Sequence, residues 1–459
     1  KLGIHVGGFT PFNFEITDLV QPAGNFLVVM VDNSRHKSAV PTVATDWWNH
    51  GGLTRSVQII AVPEAFVRDY TIGLSRDGLL IEGTVQIDPA RPEQPVAVAI
   101  PELEVEWTGV TDADGLASFQ IPAGELDRWE PGNPRLYDVI VTHGTDSMSD
   151  RIGFRTIEVK GKDILLNGKK IFLSGICMHE ENPISGDRNH SAEHARMMFD
   201  WVQDLGANFA RLAHYPHNEN MPRLADELGI LLWEEIPVYW TIDWNNPDTL
   251  ANAKNQLREL ITRDRNRASV IVWSLANETP VGKPRNAFLG DLARTARGLD
   301  ASRLISAAME VRTEGMTKIL DDPFGQHTDI ISFNQYHGWY GGDRDQFPEL
   351  NWMIAYDKPV IVSEWGAGAL HGLHGDKDTM WSEEYQAHLY RKTLEGIDRI
   401  PGFSGMTPWI LADFRSPRRA LPVIQNMWNR KGLIGEGGHK KEAFYILKEY
   451  YTKRHQPAD

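Results

Sequence analysis

From about residue 159 onward, short apolar runs alternate with amphipathic stretches, and this alternation restricts the fold more than any other feature of the chain. The apolar runs are KIFLSGICMHE (170–180), ANFARLAHYP (207–216), GILLWEEIP (229–237), SVIVWSLANE (269–278), RLISAAME (303–310), IISFNQYHG (330–338), KPVIVSEWG (358–366) and FSGMTPWILAD (403–413). Helical patterns separate them. HSAEHARMMFDWVQDLG carries Met197, Trp201 and Leu205 at a spacing of four, and MPRLADELG stops on a glycine. TLANAKNQLRELITRDRN and EEYQAHLYRKTLEGIDR are longer amphipathic segments. Eight such strands with intervening helices in about 300 residues predict a (β/α)8 barrel. A doubly wound sheet competes, but it ordinarily has fewer strands and a glycine-rich first turn. The chain holds neither GxGxxG nor GxxxxGK followed by Ser or Thr, so nucleotide chemistry has no support.

Before residue 159 the period is that of strands. FVRDYTIGL, LLIEGTVQI, VAVAI, ELEVEWTG and LYDVIVTHG alternate between 63 and 158, broken by DADG and PGNP turns, a stretch the size of one β-sandwich. FNFEITDLV, NFLVVMVDN and GGLTRSVQIIAVP in residues 1–62 also read as strands, too few to close a sandwich. The expected domains are therefore a partial β domain at 1–62, a sandwich at 63–158 and the barrel at 159–459.

Bulk properties narrow the function. A chain of 459 residues with net charge -15 holds two or three domains and argues against a nucleic-acid partner, which a phosphate backbone would require to be basic. No apolar run approaches the ~20 residues that span a bilayer, so no membrane association is expected. Cys177 is the only cysteine, which excludes an intrachain disulfide and a cysteine metal cluster. The chain opens KLGIHVGG, without a visible leader. The cytoplasm is the expected location, with a periplasmic or secreted one, after removal of a leader, also open.

In a barrel of this kind the active site lies at the C-terminal ends of the strands. Those ends carry His179 and Glu180; Arg211 and His214; Glu234 and Glu235; Asn277 and Glu278; Asn334, Tyr336 and His337; Glu364 and Trp365; Trp409 and Asp413. A single glutamate closing a strand is ordinarily a solvated loop residue or an ion-pair partner. Two of them on the fourth and seventh strands, both in aromatic surroundings, point instead to carboxylates facing each other across a cleft. Glycoside hydrolysis needs such a pair, one acid to protonate the leaving oxygen and one carboxylate to attack the anomeric carbon. Asn277 either donates to a sugar hydroxyl beside that carbon or caps the next helix.

These segments together resemble glycoside hydrolase family 2, whose members have a jelly-roll sugar-binding domain, an immunoglobulin-like sandwich and a TIM barrel. GGFTPFNFEITDLV and DWWNHGGLTRSVQI are similar to the second half of the jelly roll, and LLNGKKIFLSGICMHEENP to the start of the barrel. FARLAHYPHNE, LLWEEIPVYW, IVWSLANE and VSEWG resemble the family's barrel segments. The resemblance implies a retaining exo-glycosidase with Glu278 as acid/base and Glu364 as nucleophile, their carboxyls ~5–5.5 Å apart. It also implies that His179, His214, Asn277, Tyr336 and Trp409 hold the terminal sugar, with Asn334 and Trp365 on the same rim, and that Tyr336 bonds the nucleophile. No cofactor or metal is implied. Family members generally form dimers or tetramers, and their jelly roll has further strands ahead of the position of Lys1.

Two more segments resemble the β-glucuronidases of the family. NQYHGWYGG places Tyr336 and Tyr340 at the sugar, and WNRKGLIGEGGHKKEAF places Asn429 and Lys431 on the uronate carboxylate, with Asp46 reaching in from the jelly roll. An anion in a cleft that already holds two acids needs a cation to offset repulsion and lost hydration. The resemblance therefore implies hydrolysis of terminal β-D-glucuronides, of an oligosaccharide or a small aglycone, with β-galactosidase or β-galacturonidase activity as the alternative. Gln335 and His337 depart from the usual glucuronidase residues, and the segment EENPISGDRNHSAEHA is short where some relatives carry a long loop, which implies an open cleft and a larger leaving group. Arg415, Arg418 and Arg419 follow strand eight and either serve longer acidic glycans or form loop surface.

Overall fold

The computed structural model describes residues 1–455. Residues 66–152 build a sandwich of two antiparallel sheets. One pairs Phe66–Leu74 with Leu80–Asp88 and Leu116–Pro122; the other runs in the order Val105–Val110, Pro95–Ile100, Tyr137–His143, Asp146–Ile152. Alternate side chains such as Ala117, Phe119 and Ile121 turn inward against Ile81, Val85, Val98 and Val141. The sandwich stands where the alternation placed it, with two strands more than expected. DSMSDRI carries no apolar alternation because it lies on a sheet edge, where only Ile152 is buried.

Eight parallel strands close the barrel: β1 (Leu173–Met178), β2 (Phe209–Leu212), β3 (Leu231–Glu235), β4 (Val270–Asn277), β5 (Leu304–Met309), β6 (Ile331–Asn334), β7 (Val360–Glu364) and β8 (Phe403–Met406), with β8 pairing β1. Both faces of each strand are covered, so apolar side chains run almost without interruption; every residue of β4 is buried. Helices α1 (Ala192–Asp204), α2 (Asn220–Leu228), α3 (Pro247–Asp264), α4 (Lys283–Leu299), α5 (Glu383–Gly396) and α6 (Glu442–His455) belong to the same region. Ser191, Asn246 and Ser382 cap α1, α3 and α5 through side-chain oxygens, and Gly229 ends α2 at φ 70°, a conformation that favours glycine. The run 170–180 is divided: Lys169–Ile171 belongs to a three-stranded antiparallel sheet with Ile157–Lys160 and Asp163–Leu166. Ile164 and Leu166 of that sheet pack on Leu173, Leu231 and Ile271, closing the end of the barrel where the strands begin.

Residues 1–62 contain no strand, contrary to the reading of FNFEITDLV, NFLVVMVDN and GGLTRSVQIIAVP; Thr17–Leu19 is one 3-10 turn. A strand forms only against a partner that takes its hydrogen bonds, and these segments pair with none. Their apolar side chains are correspondingly open, Phe26 at 89% and Met30 at 91% exposure. The region is nonetheless tied to the barrel. His5 and Thr10 bond Glu259, the side chains of Thr249 and Gln256 donate to the backbone oxygens of Ser38 and Val40, and Arg55 bonds Glu180. Trp47 is wholly buried among His179, His214, Tyr215 and Tyr239, which places Asp46 over the barrel mouth.

Candidate active site

The site begins with the way β4 and β7 end. Pairing between β4 and β5 shifts register between Ser274 and Asn277, and Glu278 then turns at φ 50°. Such an irregularity re-aims the side chains that follow it. Glu278 is half-buried; its Oε1 accepts from Asn334 Nδ2 at 3.0 Å and its Oε2 from Trp240 Nε1 at 2.9 Å.

Glu364 closes β7 and is buried. Arg211 Nη1 donates to its Oε1 at 2.8 Å, the Tyr336 hydroxyl donates to its Oε2 at 2.7 Å, and His214 Nε2 lies 3.6 Å from Oε1. Burial raises the carboxyl above its ordinary value and Glu278 adds to this, while Arg211, His214 and the Tyr336 hydrogen bond pull it down.

Arg211, from β2, is the hub. It is wholly buried and donates to both oxygens of Glu235, to Glu364, to Asn277 Oδ1 at 2.8 Å and to the backbone oxygen of Ser363. Glu235 also takes His214 Nδ1 at 2.8 Å and Trp233 Nε1 at 2.9 Å. Burial pushes the Glu235 carboxyl up, but Arg211 and His214 outweigh it and hold it at about 2. A buried charge is tolerated here because each is paired and hydrogen-bonded.

Asn277 Oδ1 accepts from Arg211 and from Asn334 Nδ2, the latter at 3.2 Å. It does not cap the following helix; Gly282 occupies the N-cap of α4. Asn277 Nδ2 and His179 Nε2 are buried donors with no acceptor among the described residues. Burial, and then the neighbouring His214, hold His179 well below its ordinary value, so it faces the mouth as a neutral ring. Trp409 stacks on His214 at 4.8 Å and meets His179 edge-on at 5.2 Å.

A second cluster lies beside the first, on the hairpin of Phe414–Arg415 and Trp428–Asn429. Lys431 is buried, and its Nζ donates to the Tyr340 hydroxyl at 2.7 Å and lies 5.5 Å from the centre of the Tyr336 ring. Partial burial of the Tyr340 hydroxyl raises its pKa, but Lys431 and Arg419 outweigh that and lower it. Asn429 Nδ2 donates to Asp46 Oδ2 at 3.2 Å, and its Oδ1 accepts the Lys431 backbone N–H at 3.2 Å. Asp46 also takes Ser416 Oγ at 2.6 Å and an ion pair from Arg419.

Of the strand-end residues read from the sequence, His179, Arg211, His214, Glu235, Asn277, Glu278, Asn334, Tyr336, Glu364 and Trp409 meet in the first cluster, whereas Glu180, His337 and Asp413 are paired with Arg55, the Asp343 backbone oxygen and Lys441. Trp365 is wholly buried, packs on Tyr390 at 4.5 Å, and has an indole N–H with no acceptor among the described residues. Trp47, Tyr239 and Trp240 carry parts of the site that sequence reasoning passed over, since a tryptophan in PVYW has no signature until its partners are known; Arg419, read as a glycan contact or loop surface, is paired with Asp46. Of groups able to hold a metal, His374, Glu384 and Glu442 bring ligand atoms within 4.8 Å of one another, but His374 is already paired with Glu384 at 2.9 Å near the starts of α5 and α6. None of the three contacts Glu278 or Glu364.

Residues 157–456 match the model of the glycosyl hydrolases family 2 TIM barrel domain. The chain belongs to glycoside hydrolase family 2. It is 27% identical to a putative β-glucuronidase of Formosa agariphila over 99% of its own length and 60% of that protein's. Against the β-glucuronidase of Paenibacillus borealis it is 28% identical, covering 98% of itself and 81% of the relative. Among solved structures it is similar to a β-galacturonidase of Eisenbergiella tayi bound to galacturonate (TM-score 0.81, 27% identity, 92% of this chain, 78% of that one). It is also similar to the Ruminococcus gnavus β-glucuronidase (TM-score 0.84, 26% identity, 98% of this chain, 82% of that one). No helix among the described residues is long and apolar enough to cross a membrane.

Proposed function

We propose that this family 2 member is a retaining exo-glycosidase that removes terminal β-linked uronic acids, with β-D-glucuronides as the first choice. The observation that carries the uronate preference is Lys431: a buried ammonium beside the proposed catalytic pair, whose Nζ is bonded, among the described residues, only to the Tyr340 hydroxyl. A sugar carboxylate there gains a charge-assisted hydrogen bond and replaces the hydration it loses. Asn429 has one amide hydrogen on Asp46 and keeps the other for the same carboxylate.

In the first step a Glu364 oxygen attacks the anomeric carbon as the bond to the leaving oxygen breaks, and Glu278 gives its proton to that oxygen. Arg211 and Tyr336 fix the nucleophile's two oxygens, and Asn277 Nδ2 and His179 Nε2 are placed to donate to sugar hydroxyls. In the second step water attacks the glycosyl-enzyme, Glu278 takes the water's proton, and Glu364 leaves as carboxylate. The net reaction adds one water to the glycosidic bond.

The likeness to β-glucuronidases supports the glucuronide, and the likeness to the Eisenbergiella β-galacturonidase supports its C4 epimer as the second reading. A panel of 4-nitrophenyl β-glycosides tests both. Turnover of the glucuronide above the galacturonide, and of either above the galactoside and glucoside, is expected. Fast turnover of the neutral sugars with none of the uronides would overturn the reading.

A further inference from the structure

We propose that the leaving-group side of the cleft is a subsite for an anionic sugar, built from Trp240 and Arg418. The inference rests on the uronidase reading above and names what the terminal uronate is attached to.

Trp240 is held by backbone and side chain together. Its N–H donates to the Asn277 backbone oxygen at 2.9 Å, its ring lies on Tyr239 at 4.4 Å, and its indole N–H donates to Glu278 at 2.9 Å. Glu278 is the group assigned to protonate the leaving oxygen, so the indole adjoins the path along which the leaving group departs. The Trp240 side chain thus forms part of the wall beside that path.

Arg418 places its guanidinium carbon 5.1 Å from the centre of the Trp240 ring. It is exposed, and no carboxylate lies within 4.0 Å of it among the described residues, in a chain of net charge -15. The next residue differs. Arg419 is spent on Asp46, on the side where Lys431 and Tyr340 stand. The two consecutive arginines therefore divide the cleft: one completes the wall around the terminal sugar, and the other stands over the residue beside the acid/base. Their loop is anchored, since Ser416 Oγ accepts the Arg418 N–H and donates to Asp46, and the Ser416 N–H donates to Met427.

Glu310 is exposed at the end of β5, and partial burial, then repulsion from Glu278, raises its pKa. The rim next to the acid/base is thus acidic on the β5 side and basic on the Arg418 side. A sulfate or carboxylate on the leaving sugar is favoured only when turned toward Arg418.

The test compares kcat/KM for two disaccharides with the same terminal uronate, one joined to a neutral sugar and the other to that sugar bearing a sulfate. Wild-type enzyme should favour the sulfated substrate about fivefold at low ionic strength, and the preference should shrink as salt rises. Arg418→Glu should lower the sulfated-to-neutral ratio about tenfold or more, and Arg418→Lys should keep most of it. An unchanged ratio in Arg418→Glu, or a wild-type ratio near one at all salt concentrations, would overturn the subsite. An aryl uronide run beside them separates the two claims. Turnover of the aryl uronide with a ratio insensitive to residue 418 rejects the subsite alone, whereas no turnover of any uronide rejects the uronidase reading and the subsite with it.

Discussion

Tyr336 donates its hydroxyl hydrogen to Oε2 of Glu364 at 2.7 Å, on the oxygen that Arg211 leaves free. The Glu364 carboxylate is therefore held at both oxygens while burial works against its charge.

Removing the Tyr336 hydroxyl tests that balance. The hydrogen bond lowers the Glu364 pKa, so Tyr336→Phe should raise it further. The acidic limb of the kcat/KM profile then moves to higher pH, because a larger share of Glu364 is protonated and unable to attack at a given pH. Turnover should fall about tenfold to a hundredfold. A reduced rate with an unmoved acidic limb would leave Tyr336 a packing role only.

Arg211 joins β4 and β7, bonding Glu364 of β7 and Asn277 of β4 as well as Glu235. Arg211→Met strands two buried carboxylates and should destabilise the protein by about 3–5 kcal/mol. Urea unfolding followed by tryptophan fluorescence measures this, and a loss below about 1 kcal/mol would contradict the hub role.

Lys431→Ala should separate substrates by their C6 group. Activity on an aryl β-glucuronide is expected to drop about a hundredfold, the cost of leaving a bound carboxylate without its cation. Residual activity on the matching galactoside or glucoside should change far less. Equal losses on charged and neutral sugars would remove the carboxylate role.

Glu180 ties residues 1–62 to the barrel through Arg55, and Arg188 binds the same carboxyl. Burial pushes Glu180 up, but the two arginines outweigh it and hold it at about 2. A depressed carboxyl contributes stability that is present above its unfolded pKa and lost as pH falls through the folded one. The contribution, up to about 3 kcal/mol, should therefore be complete near pH 7 and fade from about pH 4.5 toward pH 2. Glu180→Gln should show the same loosening at pH 7, read as faster proteolysis within residues 1–62. An unchanged cleavage pattern would place the tether elsewhere.

The barrel was legible because strands buried on both faces must be apolar along their length, and VIVWSLAN and VIVSE announce themselves. The polar ends of those runs drew attention to the proposed catalytic pair for the same reason: a charge at the end of a buried strand needs a purpose or a partner. Residues 1–62 misled. NFLVVMVDN has the composition of a strand, but pairing is a property of two segments, and no described segment pairs with it. DSMSDRI shows the converse, a real edge strand that burial never marks. Arg419 was open to two readings until Asp46, 373 positions earlier, was seen beside it.

The central claim is that Glu364 forms a covalent bond to a uronosyl carbon with Glu278 as its proton partner. Incubation with a 2-deoxy-2-fluoro-β-glucuronosyl fluoride, followed by proteolysis and mass spectrometry, tests it directly. The account predicts time-dependent inactivation, with one fluorouronosyl group on Glu364. Attachment to another residue, or hydrolysis of the reagent with inversion and no adduct, would contradict it.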